Sequence, residues 1–218
     1  TIKLDKPVTG RYFAIQAESS QSGDSQIAIA EVYLQDAQGN RIDRNTGGIV
    51  IAAKTAEALR ILNDKIKEHE LKKKYVCVVL GRPEPPRGRI ENFLRRDEKR
   101  KQVTLHDRPV PGAKTAKTLY RTLASTKELS LVECTLLPGR PHQIRAHMAS
   151  IGCPLLGDGK YGRGDRNRAC GETGQLLYSY ELTFAFESDV GALQYLDGKT
   201  FRVKDIAFVK KYFPNYRF

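Results

Sequence analysis

Residues 128–137, "ELSLVECTLL", carry apolar side chains on both faces of an extended chain. That pattern belongs to a central strand rather than to one with a wet side. The run before it, "TAKTLYRTLAS" (115–125), reads as a second strand, and the two are joined by a Thr-Lys turn. "KKYVCVVLG" (73–81) is a third β-branched run, closed by Gly-Arg-Pro, and predicts another central strand. "IAIAEVYLQ" (27–35) alternates like a half-buried strand and ends in the turn chemistry of "DAQGN". "GGIVIAAK" (47–54) predicts a glycine turn into a buried strand, and further strands are expected near 175–186 and 200–209. Thr55 is placed to cap a helix running to about Glu68, with Ala58, Leu59, Leu62 and Ile66 as its apolar face. No internal repeat or long linker interrupts the pattern, and 40% hydrophobic residues in 218 can fill a core.

Charge narrows the partners. Lys and Arg total 37 against 25 acidic residues, a net +12, the balance of a protein that meets a polyanion such as RNA, DNA or an anionic membrane surface. Seven basic and three acidic residues fall between Arg87 and Lys101 around "ENFL", which predicts a basic hairpin arm: a solvated face or a nucleic-acid contact. No apolar run approaches the ~18–20 residues of a bilayer span, and the start of the chain lacks a basic-then-apolar leader pattern. A soluble cytoplasmic protein is therefore expected. Cys77, Cys134, Cys153 and Cys170 show no metal-finger spacing and are expected as buried thiols. The histidines 69, 106, 142 and 147 form no HExxH pattern, so no metal is expected.

"GRPHQIRAHMASIGCPLLGDGKYG" (139–162) packs two arginines and two histidines into eight residues. Pro141 suits a first helical turn, Ile144, Met148 and Ile151 form a buried stripe, and Gly152 is a C-terminal stop. With Ile144 at zero on the wheel, Arg145 falls at about 100° and His142 at about 160°, facing a groove or solvent, while His147 turns back toward the stripe. The "PLLGDGKYG" turn is expected to anchor the helix end to the sheet, with Asp158 as a turn-former and Lys160 and Tyr161 exposed beside it. In "RIDRNTGGIVIAAKT" (41–55), Asp43 lies between two arginines, whose charge would hold it ionised as a nucleophile or base; a surface salt bridge is an equal reading of that string.

"RIDRNTGG", "KKYVCVVLGRP" and "LLPGRPHQIRAHMASIGCPLLGDGKYG" occur in the order and spacing of the RluA family of RNA pseudouridine synthases, a resemblance running from about Arg41 to about Val209. It implies an α+β fold: a mixed, mostly antiparallel sheet with flanking helices around a central cleft. It also implies an isomerase that detaches uracil from ribose, rotates it and rejoins it through carbon 5, without a cofactor. Asp43 would be the essential carboxylate, as nucleophile at the anomeric carbon or as base at the adjacent one. Tyr75 would stack on the base and help remove the carbon-5 proton. Arg145 would pair with Asp43 and orient it, and Arg41 would fill the space of the flipped nucleotide. Arg41, Arg44, Arg140 and His142 are the expected RNA contacts. The nucleotide must be extruded, because a glycosidic carbon cannot be reached inside a stacked helix. Ribosomal or transfer RNA is the expected substrate, for a monomer with no membrane partner.

The pattern departs from the family at Asn40, where a histidine is usual, and at Gly47, where a serine is usual. The catalytic domain is taken as 40–218. Residues 1–39 are taken as atypical N-terminal strands: Lys6 and Pro7 fit the family's start, Gly10 comes one residue late, and 11–36 looks like closing strands of a discoidin-like, sugar-binding sandwich. Two rival functions follow, an inactive RNA-binding relative and an extracellular carbohydrate-binding protein.

Overall fold

The computed structural model describes residues 46–53, 55–162, 167 and 170–218. The expectations for residues 1–39, for Arg41, Asp43 and Arg44, and for a strand at 27–35 fall outside these residues. Among the described residues the strands are β1 (Thr46–Gly48), β2 (Leu71–Leu80), β3 (Arg87–Asp97), β4 (Gln102–His106), β5 (Lys114–Ser125), β6 (Leu129–Leu136), β7 (Leu177–Phe184) and β8 (Thr200–Arg202). They form one sheet in the order β1-β7-β2-β6-β5-β3-β4, with β8 also on β7. The β1–β7 pair is parallel and the other pairs are antiparallel, so the architecture is the α+β, mostly antiparallel one expected.

The central strands owe their place to side chains that suit two dry faces. On β2, Cys77 and Val79 join a cluster with Val132 and Cys134 beneath helix α2 (Gln143–Ser150), through Ile144 and Met148. Val76 and Val78 point the other way, into a cluster with Leu131, Tyr180 and helix α3 (Ala207–Tyr212), through Ile206, Val209 and Phe213. All four β2 side chains are fully buried, which at ~1.5–3 kcal/mol each makes this strand a principal source of stability. β6, flanked by β2 and β5, is the central strand its two apolar faces demanded. Three of the four cysteines, 77, 134 and 153, are buried thiols as expected, and Cys170 is partly exposed.

Helix α1 (Ala56–Lys67) starts where expected: Thr55 Oγ1 accepts the Ala58 N–H at 3.1 Å. Its inward face differs from the expected one. Ala58, Ile61 and Leu62 pack on Leu71, Leu182 and Phe184, while Ile66 is exposed and Lys65 is buried. Lys65 Nζ reaches Glu68, Glu70 and Ser188 at 2.6–2.9 Å, and these acceptors stabilise an inward ammonium.

Two expected strands are also corrected. After the glycine pair the strand ends at Gly48, with a last bond from Ile49 N to Ser179 O at 2.8 Å; Ile49, Ile51 and Ala53 then pack inward in alternation. The expected strand at 200–209 is only Thr200–Arg202, and α3 follows, because Ile206, Val209 and Phe213 recur at helical spacing and bury one stripe on the sheet.

Candidate active site

β1 begins three residues after Asp43 and is fixed to the outer edge of β7, with Thr46 opposite Leu177 and Gly48 opposite Ser179. Gly48 has φ +112°, and a Cβ there would meet Ser179 O at 2.2 Å. Only glycine permits that approach. At Gly47 a Cβ would fall 2.7 Å from the Tyr178 ring, which occupies the space. On the other side of β7, Ser179 is opposite Tyr75 of β2. Tyr75 is half-buried and packs on the cluster that includes Ile144 and Met148 of α2. Burial raises its phenol pKa, against the opposing hydrogen bond with Ser179, so Tyr75 is a neutral phenol at pH 7.

Helix α2 places the expected arginine. His142 caps it in the left-handed region at φ +54°, so Pro141 lies just before the helix instead of in its first turn. Gln143 ties this start to the sheet: its side chain accepts the Arg140 N–H at 2.9 Å and donates to Lys117 O and Thr118 Oγ1. Ile144 and Met148 face the sheet as the stripe predicted, and Gly152, at φ +76°, follows the helix end. Residues 143–148 are all buried, because a second layer covers the face that the wheel assigned to a groove or solvent. That layer is the 153–162 segment, anchored to β2 by Leu80 N→Pro154 O and Leu156 N→Val78 O at 2.9 Å each.

Arg145 is 4% exposed and meets Asp158, which is fully buried, in a bidentate pair: Nε to Oδ2 at 2.7 Å and Nη2 to Oδ1 at 2.8 Å. Asp158 Oδ1 also accepts the N–H groups of Lys160 at 2.8 Å and Tyr161 at 3.1 Å. Asp158 is thus the turn-former expected and also the fixed anion beside Arg145. Burial alone would raise its pKa, but the Arg145 hydrogen bonds and charge, with the two backbone donors, hold it below the usual carboxylate value. The turn itself is held by Asn167, whose Oδ1 accepts Gly157 N at 2.6 Å and whose Nδ2 donates to Leu155, Asp158 and Gly162 carbonyls.

Tyr161 closes the arrangement. It is half-buried rather than exposed, its ring lies 5.2 Å from the Arg145 guanidinium carbon, and its hydroxyl is 2.9 Å from His142 Nδ1. Burial, then the nearby charges of Arg145 and Lys160, push the His142 pKa down to about 4, so His142 is uncharged at neutral pH. Any contact it makes with RNA is then a hydrogen bond and not an ion pair. Lys160 Nζ donates to Lys101 O at 2.6 Å, and Arg140 Nε to Thr115 O at 3.2 Å. His147, expected as a satisfied, partly buried histidine, is fully buried and only half satisfied: Nδ1 bonds Thr118 Oγ1 at 2.8 Å while Nε2 meets no partner among the described residues, and burial lowers its pKa to about 4.

The structure therefore brings Tyr75 and the arginine helix onto one core cluster and seats Arg145 against Asp158. Sequence reading missed the engagement of Asp158 and the inward turn of Tyr161. The Gly-Asp-Gly string gave the turn, but nothing in the spacing of residues 145 and 158 announces an ion pair. Among the described residues no three His, Cys, Asp or Glu side chains gather as a metal site, and no helix is long and apolar enough to cross a membrane.

The sequence model of the family described as RNA pseudouridylate synthase matches residues 38–150, just over half of the chain. The chain belongs to this family. Among RNA pseudouridylate synthase relatives, it is 36% identical over 154 residues to ribosomal large subunit pseudouridine synthase D of Borreliella burgdorferi, covering 70% of this chain and 44% of that protein. It is 37% identical over 129 residues to the uncharacterized RNA pseudouridine synthase YhcT of Bacillus subtilis, covering 58% of this chain and 42% of that one. The chain spans less than half the length of these curated relatives. The solved structure of human RNA pseudouridylate synthase domain containing 4 superposes with a TM-score of 0.60 at 22% identity, covering 78% of this chain and 71% of that one. That likeness establishes the shared fold.

Proposed function

We propose that this chain isomerises uridine to pseudouridine in ribosomal or transfer RNA, in the cytoplasm and without a cofactor. The observation that carries the reading is the buried guanidinium of Arg145, held by Asp158 on the helix that shares a core cluster with Tyr75. Asp158 engages Nε and Nη2, so the other guanidinium N–H groups point away from it. In this proposal they hold Asp43 ionised and oriented. A cation of this kind is what keeps a carboxylate charged in a dry pocket.

The reaction breaks the bond between C1′ and N1, rotates the base, and forms a bond between C1′ and C5. The proton leaves C5 and N1 gains one, so no oxidant or reductant is consumed. Asp43 acts on the sugar, and Tyr75 stacks on the freed base. Because Tyr75 is a neutral phenol, it accepts the C5 proton only by passing on its own hydroxyl proton. Arg41 occupies the place of the extruded nucleotide, and Arg44, Arg140 and His142 line the RNA path.

Tritium release from RNA labelled at uridine C5 tests the proposal. Wild-type protein releases label from ribosomal or transfer RNA, whereas Asp43→Asn releases none while keeping RNA affinity within about threefold, since the carboxylate serves bond-breaking more than docking. Undiminished release by Asp43→Asn removes that assignment. RNA binding without release by the wild type makes the chain an inactive RNA-binding relative.

A further inference from the structure

Tyr161 lies where three parts of the molecule meet. Its backbone N–H is taken by Asp158 Oδ1, its ring lies against Arg145, and its hydroxyl accepts the Val103 N–H of β4 at 2.8 Å. Among the described residues β4 is the last strand of the sheet, so its outward N–H groups meet no strand partner there. The Tyr161 hydroxyl takes the place of one. Two further bonds join the same parts: Gln102 Nε2 to Lys160 O at 3.3 Å and Lys160 Nζ to Lys101 O at 2.6 Å. The Tyr161 ring also packs with Leu94 and Val103 of the hairpin and Ala146 of α2. The β3–β4 hairpin, with Lys99, Arg100 and Lys101 exposed at its turn, is thus bolted to the turn that holds Arg145.

We propose that Tyr161 is a positioning residue: through its hydroxyl, the seating of RNA phosphates on the β3–β4 hairpin sets the orientation of the Arg145 guanidinium. This rests on the reading of the chain as an RNA-modifying enzyme. The mechanics come from the contacts. β3 leaves β5 after Leu94, so from Arg95 to Thr104 the arm is two-stranded and pliant by itself, and its basic turn is drawn to phosphate. Movement of β4 is carried by Val103 to the Tyr161 hydroxyl, and by the ring and the shared Asp158 to Arg145. A displacement of about 1 Å at a catalytic group can cost up to about a hundredfold in rate. The enzyme thereby gains a reason to react only when the arm is loaded.

The test uses the Nε–H resonance of Arg145 in protein labelled with ¹⁵N-arginine, assigned by its loss in Arg145→Lys. The probe is a structured RNA without uridine, which offers phosphates to the hairpin and no substrate base to the pocket. In wild-type protein the probe shifts the Arg145 resonance together with that of Arg100. In Tyr161→Phe, which keeps the ring and removes the hydroxyl, the probe binds within about threefold and shifts Arg100 alone. With uridine-containing RNA the same variant loses about tenfold in single-turnover rate at saturation, a change in kcat rather than KM. Equal Arg145 shifts in wild type and Tyr161→Phe, no Arg145 shift in wild type, or no binding of the probe would each overturn the proposal. A wild type that shows the coupled shift but releases no tritium would leave this coupling standing and remove the isomerase reading.

Discussion

At the scale of residues, the site depends on charges taken out of water in pairs. Arg145 and Asp158 are both buried, and removing the Asp158 carboxylate takes from the guanidinium a bidentate, desolvated anion, at a cost of up to ~3–5 kcal/mol. Asp158→Asn keeps an oxygen for the Lys160 and Tyr161 N–H groups and removes the charge. It should lower unfolding free energy by about 3 kcal/mol in urea titrations; a loss under ~1 kcal/mol would mean that Arg145 finds another anion. The pH dependence separates this pair from the histidines. The Asp158 pKa is lowered, so its stabilisation is complete above the unfolded carboxyl value and is lost only as pH falls below about 4. His147 is kept neutral in the fold with a pKa of about 4, so the unfolded chain binds the proton first, and stability falls as pH drops from about 6.5 to about 4. His142 acts in the same window. His147→Gln, which can still meet Thr118, should therefore flatten the stability profile by about half between pH 6.5 and 4, read by thermal unfolding at stepped pH. An unchanged profile would show that His147 does not titrate with folding. The positions of Tyr75 and Arg145 were legible because they sit in dense motifs. The hold of Asp158 on Arg145 was not, since a helical wheel gives a direction and says nothing of which later segment covers that face.

At the scale of elements, the strands were legible wherever β-branched runs met turn residues, and β2, β5 and β6 fall where those runs predicted. The readings that failed depended on partners distant in sequence. Lys65 turns inward because Glu70 and Ser188 wait for it, and Ile66 is left exposed in consequence. Ile49 still donates its N–H to Ser179 O of β7 at 2.8 Å, but the alternation of Ile51 and Ala53 beyond it continues outside the strand. α3 was readable in principle, since Ile206, Val209 and Phe213 follow helical spacing, but Phe and Val in a short run favour a strand reading. The parallel β1–β7 pair bears most on the proposed site, because β1 begins three residues after Asp43. Gly47→Ser would drive Cβ into the Tyr178 ring, at an overpacking cost of about 1–3 kcal/mol. Tyr178→Val removes that ring, so the double variant should regain most of the loss. The two changes then couple by at least ~1 kcal/mol in a double-mutant cycle. Additive effects would show that serine fits here without displacing Tyr178.

At the scale of the whole molecule, two groups of cations among the described residues can be compared. The hairpin arm has seven basic residues against three acidic ones between Arg87 and Lys101, so the pairs Arg89–Glu91, Arg96–Glu98 and Arg100–Asp97 leave it a cationic excess. Helix α3 covers the sheet with lysines already engaged: Lys210 with Asp205 and Lys211 with Glu172, each at 2.7 Å. Affinity for RNA should therefore fall steeply with salt, and the steepness should be owed to the arm. Each phosphate neutralised contributes about 0.7–0.9 to the slope of log affinity against log salt. Replacing Lys99 and Arg100 with glutamine should reduce the slope by about 1.5, measured by fluorescence anisotropy on labelled RNA from low to moderate ionic strength. The matched replacement of Lys210 and Lys211 should leave the slope unchanged, although both pairs of substitutions remove the same formal charge. Equal effects from the two groups would mean that the chain attracts RNA through its net charge alone, and the arm would lose its claim to direct RNA toward Arg145.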